Sequence, residues 1–119
     1  MEAKQSCKSN ITKGTTAAAY AEALRVDTRG MGVQGKFFAL VTNLDPSNTM
    51  YYKIDGYPAD VDGTLGGKPV TPAILAETSL AASTTAIPGT LPDKGYAAVV
   101  ISVKNNSGAC AYQIDWETY

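Results

Sequence analysis

The chain is 119 residues long, 45% hydrophobic and 18% charged, which fits one globular domain and excludes both a disordered tail and a second independent core. Ten basic against eleven acidic side chains leave a net charge of −1 with no basic cluster, excluding phosphate-driven nucleic-acid binding. Histidine is absent, so the commonest general base and metal ligand is missing, together with Ser/His and Cys/His nucleophile pairs and His-containing zinc sites. The expectation is a protein that is not an enzyme and carries no cofactor.

Residues 1 to about 15 are polar and mixed in charge. Glu2-Ala3-Lys4-Gln5-Ser6 and Lys8-Ser9-Asn10 hold too little apolar surface to order alone. They read as an arm that orders against a neighbouring chain, with Ile11 as an apolar contact. The same stretch lacks the apolar centre of about 7–15 residues that a secretory signal needs. The longest apolar run, Tyr96 to Ile101, falls far below the ~20 residues of a membrane-spanning helix. Neither a signal peptide nor a membrane span is expected. Over residues 16–26 two periods compete. Ala17, Tyr20, Ala21 and Leu24 match helical spacing behind Thr16 as a cap, whereas Tyr20, Leu24 and Val26 also fit period two. An all-β body favours a strand from about Tyr20 to Thr28, and the helix remains the alternative.

From Phe37 onward apolar residues alternate between clusters of Gly, Pro, Asn, Asp and Ser, the pattern of strands joined by turns. A segment from about Val33 to Leu44 puts Phe38, Leu40 and Leu44 on one face and Phe37, Ala39 and Val41 on the other, as a central strand does. Asp45-Pro46-Ser47-Asn48 then turns the chain into Met50, Tyr52 and Ile54, predicting a hairpin. Gly56 to Pro69 holds four glycines and two prolines and reads as a long surface excursion. A strand from about Ile74 to Leu80 follows, with a short one at Ser83 to Ile87 before Pro88-Gly89 turns the chain. Tyr96 to Lys104 is the most β-prone run and belongs deep in a sheet. After Asn105-Asn106-Ser107-Gly108, a last strand carries Cys110, Tyr112, Ile114 and Trp116 on one face, predicting a second hairpin. The sum is an all-β fold, a two-sheet β-sandwich or jelly roll of about seven strands with an extended N-terminal arm. Its division is 1–19 for the arm and 20–119 for the domain.

Candidate sites are few. Cys7 and Cys110 are too few for a disulfide scaffold and have no metal-ligand spacing; they stand as two free thiols or as one disulfide between arm and body, of the same or an adjacent chain. Asp60-Val61-Asp62-Gly63-Thr64 opens like a calcium loop, but the later bidentate glutamate is missing, so a solvated turn is the reading. Asp55, Asp115 and Glu117 would serve as an acid/base pair only if crowded or buried, and alternation assigns them to an outer face. Tyr112 and Trp116 read as core. Tyr51, Tyr57 and Tyr119, outward or terminal, join Ile11 as candidate interface residues. The sequons at Asn10 and Asn105 carry little weight without a secretory signal. No catalytic, cofactor or metal residue is assigned.

Five stretches together are similar to a known group: Leu24-Arg25-Val26-Asp27-Thr28-Arg29-Gly30, Phe38-Ala39-Leu40-Val41-Thr42-Asn43, Tyr51-Tyr52-Lys53-Ile54-Asp55-Gly56-Tyr57, Leu80-Ala81-Ala82, and the run from Tyr96 to Asn105. Over roughly residues 20–118 the chain resembles small β-sandwich structural proteins of viruses, notably head-associated proteins of tailed phages. The resemblance implies a capsid decoration or minor capsid subunit of the virion, made in the host cytoplasm. Its partners would be the capsid protein or copies of itself, with no nucleic acid and no membrane. It transfers no catalytic residue. A carbohydrate-binding or adhesion module, or a filament subunit, is the alternative.

Overall fold

A computed structural model describes residues 9–27, 36–58, 68–69, 73–92 and 97–118. Among them eight strands follow one another: β1 (Ser9–Thr15), β2 (Ala21–Asp27), β3 (Lys36–Asn43), β4 (Met50–Tyr57), β5 (Leu75–Leu80), β6 (Thr85–Pro92), β7 (Ala98–Asn105) and β8 (Ala111–Thr118). They form two four-stranded antiparallel sheets, sheet 1 in the order β1-β8-β3-β6 and sheet 2 in the order β2-β7-β4-β5. The β-sandwich is as expected, and residues 21–27 resolve to strand rather than helix because Leu24 and Val26 both face the core.

The core lies between the inner faces. Ala39 and Val41 of β3 and Tyr112 and Ile114 of β8 meet Leu24 and Val26 of β2, Met50, Tyr52 and Ile54 of β4, and Val99, Ile101 and Val103 of β7. β7 is buried along nearly its whole length, as its continuous β-prone run requires. Trp116 packs against this core only partly buried, which lowers the 3–5 kcal/mol that full burial of the side chain would give.

The described strands number eight, about seven in the body as expected and one in the arm. Three expectations need correction. Within the arm, residues 9–15 form β1, which pairs with β8 through seven consecutive residues from Ser9↔Glu117 to Thr15↔Ala111. Its alternation carries almost no hydrophobicity, so side-chain pattern holds no strand signal there and backbone pairing supplies the order. Pro88-Gly89 does not end a strand but sits inside β6, where the register against β3 shifts between Ala39 and Val41. β6 is an edge strand, and edges and bulges are where a strand tolerates proline.

The third correction concerns both predicted hairpins. β3 and β4 lie in different sheets, and so do β7 and β8. Each short connection is a corner between sheets, fixed by an asparagine that ends the strand. Asn43, fully buried, donates from Nδ2 to the carbonyls of Asn48 (2.8 Å) and Leu80 (3.0 Å), and its Oδ1 accepts the Asp45 N–H (2.9 Å). The Asp45 carboxylate in turn accepts the N–H groups of Ser47 and Asn48, which holds its pKa below the usual value. At the other corner Asn105 Nδ2 donates to Thr16 Oγ1 (2.8 Å), which also accepts the Cys110 N–H (2.9 Å). Gly108 permits the two corners to touch, since a Cβ there would come within 2.7 Å of Asn48 Nδ2. The short connections of residues 16–20, 44–49, 81–84 and 106–110 thus gather at one end of the sandwich, and the strand ends that flank the longer ones (28–35, 58–74 and 93–97) lie at the other.

Candidate interaction surfaces

Strand alternation divides the candidate interface residues between opposite faces of the sandwich. Ile11 stands on the outer face of sheet 1; Tyr51 and Tyr57 stand on the outer face of sheet 2. Tyr119 lies outside the described residues. The candidate carboxylates separate in the same way, Asp115 and Glu117 on sheet 1 and Asp55 on sheet 2, so they form no acid/base pair across the three. Asp60 and Asp62 lie outside the described residues, and among those described no group of three His, Cys, Asp or Glu side chains is placed to hold a metal ion.

The outer face of sheet 1 carries apolar side chains on β1, β3 and β6, with the polar Gln113, Asp115 and Glu117 of β8 between β1 and β3. Ile11 on β1 is 56% exposed, Ile87 on β6 is 68% exposed, and Phe38 and Leu40 on β3 are half-buried between them. Ile11, Phe38 and Leu40 line a shallow groove of about 520 Å³, with Asp115, Glu117, Asn10 and Trp116 as its other members. Gln113 Nε2 donates to Asp115 Oδ1 (2.9 Å), and Thr42 and Thr85 join their hydroxyls at 2.9 Å farther along the face. Sequence reasoning singled out Ile11 here but missed Phe38, Leu40 and Ile87. It took Phe38 and Leu40 as one side of a central strand buried on both faces, whereas nothing among the described residues covers the outer one.

The outer face of sheet 2 is closed by a network of rings and charges. Tyr20, just before β2, reaches across to β5, where its hydroxyl donates to Glu77 Oε1 (2.6 Å). Lys53 and Lys104 approach its ring at 4.6 and 5.3 Å from the centroid, and Lys104 also lies 5.7 Å from the Tyr51 ring. Arg25 stacks 4.8 Å over Tyr57 and pairs with Glu22 at 2.9 Å, the hydrogen bond to Glu22 raising its pKa. Asp55 is buried and has Lys53 at 3.8 Å, an ion pair that accounts for it structurally. Tyr51 and Tyr57 therefore have their rings engaged within the molecule by cations.

Burial raises the pKa of the Tyr52 and Tyr112 phenols, and burial with the Glu77 hydrogen bond raises that of Tyr20 strongly. Three of the seven tyrosines should therefore remain neutral in the folded chain where an ordinary phenol, with a pKa of about 10, ionises. The unfolded chain then loses protons first, so stability must fall as pH rises above about 10. Absorbance titration of phenolate should show about three fewer ionised tyrosines in the native protein than in denaturant; identical curves for a chain still folded would contradict it.

Cys110 is fully buried, with Sγ 3.5 Å from the carbonyls of Asn48 and Gly108, and burial pushes its thiol pKa up. Cys7 lies outside the described residues. Ser9, two residues after it, is opposite Glu117 at the far end of β8 from Cys110.

No protein-family model matches the chain, and none of the curated proteins matches it in sequence. Solved structures do. The crystal structure of PirA matches with a TM-score of 0.55 at 14% identity over 90% of this chain and 92% of that one. A subunit from Bacillus endospore appendages, described as forming a family of disulfide-linked pili, matches with a TM-score of 0.52 at 12% identity over 98% of this chain and 90% of that one. A chain of infectious bursal disease virus, Gt strain, matches with a TM-score of only 0.42, and this protein spans a third of it. At these identities the first two likenesses establish the β-sandwich and nothing beyond it.

Proposed function

We propose that this protein is a structural subunit, acting through assembly with copies of itself in a virion or a pilus-like filament and not through catalysis. The observation that carries the reading is the outer face of sheet 1, where Ile11, Phe38, Leu40 and Ile87 leave apolar surface open around a groove. Exposed apolar patches rimmed by polar residues mark interaction sites, and a partner that covers this one gains its burial free energy. The strand order supports the reading at the level of architecture. The pairs β1·β8, β2·β7, β3·β6 and β4·β5 are one long hairpin wrapped over two sheets, the jelly-roll arrangement that capsid domains use. The sequence resemblance to phage head-associated proteins gives the finer form, a decoration or minor capsid subunit; the endospore appendage pili supply the filament form.

Sedimentation and electron microscopy of the purified protein test the proposal. Self-assembly into multimers is expected, and Ile11→Lys with Ile87→Lys should reduce the assembled fraction at least tenfold while the monomer keeps its melting temperature. A wild-type protein that stays monomeric at high concentration but orders on a capsid would select decoration instead. Monomers that bind neither would overturn the structural reading.

A further inference from the structure

β1 is the one strand of the eight that contributes nothing to the hydrophobic core among the described residues. Its positions opposite the core face of β8 are Asn10, Thr12 and Gly14, followed by Thr16, and its largest apolar side chain, Ile11, points out of the sandwich with more than half its surface exposed. The core cluster is drawn from the remaining seven strands. Yet its register is fully specified. All seven residues pair with β8 without a bulge, and Gly14 fits against the Tyr112 ring, where a Cβ would come within 2.5 Å of the hydroxyl oxygen. Such a strand is held by its backbone ladder and by shape, both of which an identical β8 in another molecule reproduces residue for residue. The connection to β2 runs through Ala17, Ala18 and Ala19, all exposed; the Ala17 carbonyl accepts the Asn105 N–H (2.8 Å), and Ala18 and Ala19 beyond it are a short joint at which the chain can open.

From these observations we propose that β1 is an exchanged strand: in the assembled protein each copy donates residues 9–15 to the β8 edge of a second copy. Every ladder hydrogen bond, the Thr16 contacts to Asn105 and Cys110 and the bond from the Asn105 N–H to the Ala17 carbonyl are remade across the interface, so exchange keeps the contacts of β1 with β8 and links the chains. The exchange also keeps β8 covered, whose open edge would otherwise invite indiscriminate pairing. This inference rests on the self-assembly reading above and deepens it.

Lys13 and Gln113 face one another across β1 and β8 on the outer surface, at a spacing a disulfide can bridge. Two full-length variants, Lys13→Cys and Gln113→Cys, each also carrying Cys7→Ser and Cys110→Ala, are unfolded together, refolded as a mixture, sized by sedimentation and oxidised. Exchange predicts disulfide-linked heterodimers in more than a third of the chains of the assembled fraction. The off-register mixture of Thr15→Cys with Gln113→Cys should give at least fivefold fewer. Multimers without the disulfide between positions 13 and 113, or with equal yields in both mixtures, would overturn strand exchange while leaving assembly through the sheet 1 face intact. Monomers alone, without cross-links, would overturn both.

Discussion

Asn43→Asp should destabilise the protein by about 3 kcal/mol or more at neutral pH, although it changes one atom type and no volume. The side chain is fully buried, and its Nδ2 group donates to two carbonyls from different parts of the chain, Asn48 and Leu80. Each such bond contributes roughly 1 kcal/mol net, and a buried polar group left unsatisfied costs about 1–3 kcal/mol. A carboxylate there would turn an acceptor toward two acceptors, with the Asp45 carboxylate close by in the same turn. Burial and repulsion would raise the pKa of the new acid above its unfolded value of about 3.9. The folded variant then holds a proton that the unfolded chain has already released, so its stability decreases as pH rises above about 4. Urea denaturation from pH 4 to 8 should show the deficit growing with pH, by up to about 1.4 kcal/mol per unit, whereas Asn43→Ala should lose a constant amount. A pH-independent deficit for Asn43→Asp would mean that the site is wet and the corner hydrogen bonds are not what holds the two sheets in place.

That corner also explains where sequence reading fell short. Alternation located β3, β4, β7 and β8 because each carries an apolar inner face, and this part of the fold is legible from period alone. Period says nothing about which sheet a strand joins. Asp45-Pro46-Ser47-Asn48 and Asn105-Asn106-Ser107-Gly108 have the composition of hairpin turns. The distinguishing signal is the asparagine at each strand end, and its meaning appears only when Leu80 and Thr16, remote in sequence, supply its partners. β1 was invisible for a different reason. Its order comes from backbone pairing to β8, which side-chain patterns do not report. The proposed interface was half legible. Ile11 announced itself in a polar stretch, but Phe38 and Leu40 look identical to core residues until the strand order leaves their side of sheet 1 uncovered. Tyr51 and Tyr57, chosen for the general enrichment of tyrosine at contacts, are engaged by Lys104 and Arg25 within the chain.

The largest loss is expected at Ile101. It lies midway along β7, fully buried, directly opposite Leu24 of β2 on one side and Ile54 of β4 on the other. These three form a row of branched aliphatics across sheet 2, in one core with Val41 and Ile114 of sheet 1. Ile101→Ala removes three carbons from that row, and the neighbours on both strands are held by ladders that prevent their collapse into the space. Substitutions of this kind cost about 2–5 kcal/mol, with the upper half of the range expected where the cavity cannot close. Domains of this size are stable by about 5–15 kcal/mol, so Ile101→Ala alone should bring the chain close to unfolding at physiological temperature. Ile11→Ala, the same chemical change on an exposed strand, should lower stability by less than about 0.5 kcal/mol yet weaken assembly. The two substitutions therefore separate cohesion of the sandwich at Ile101 from the proposed contact between copies at Ile11. Equal effects of both on the denaturation midpoint would show that β1 belongs to the core and would remove the basis for treating it as exchangeable.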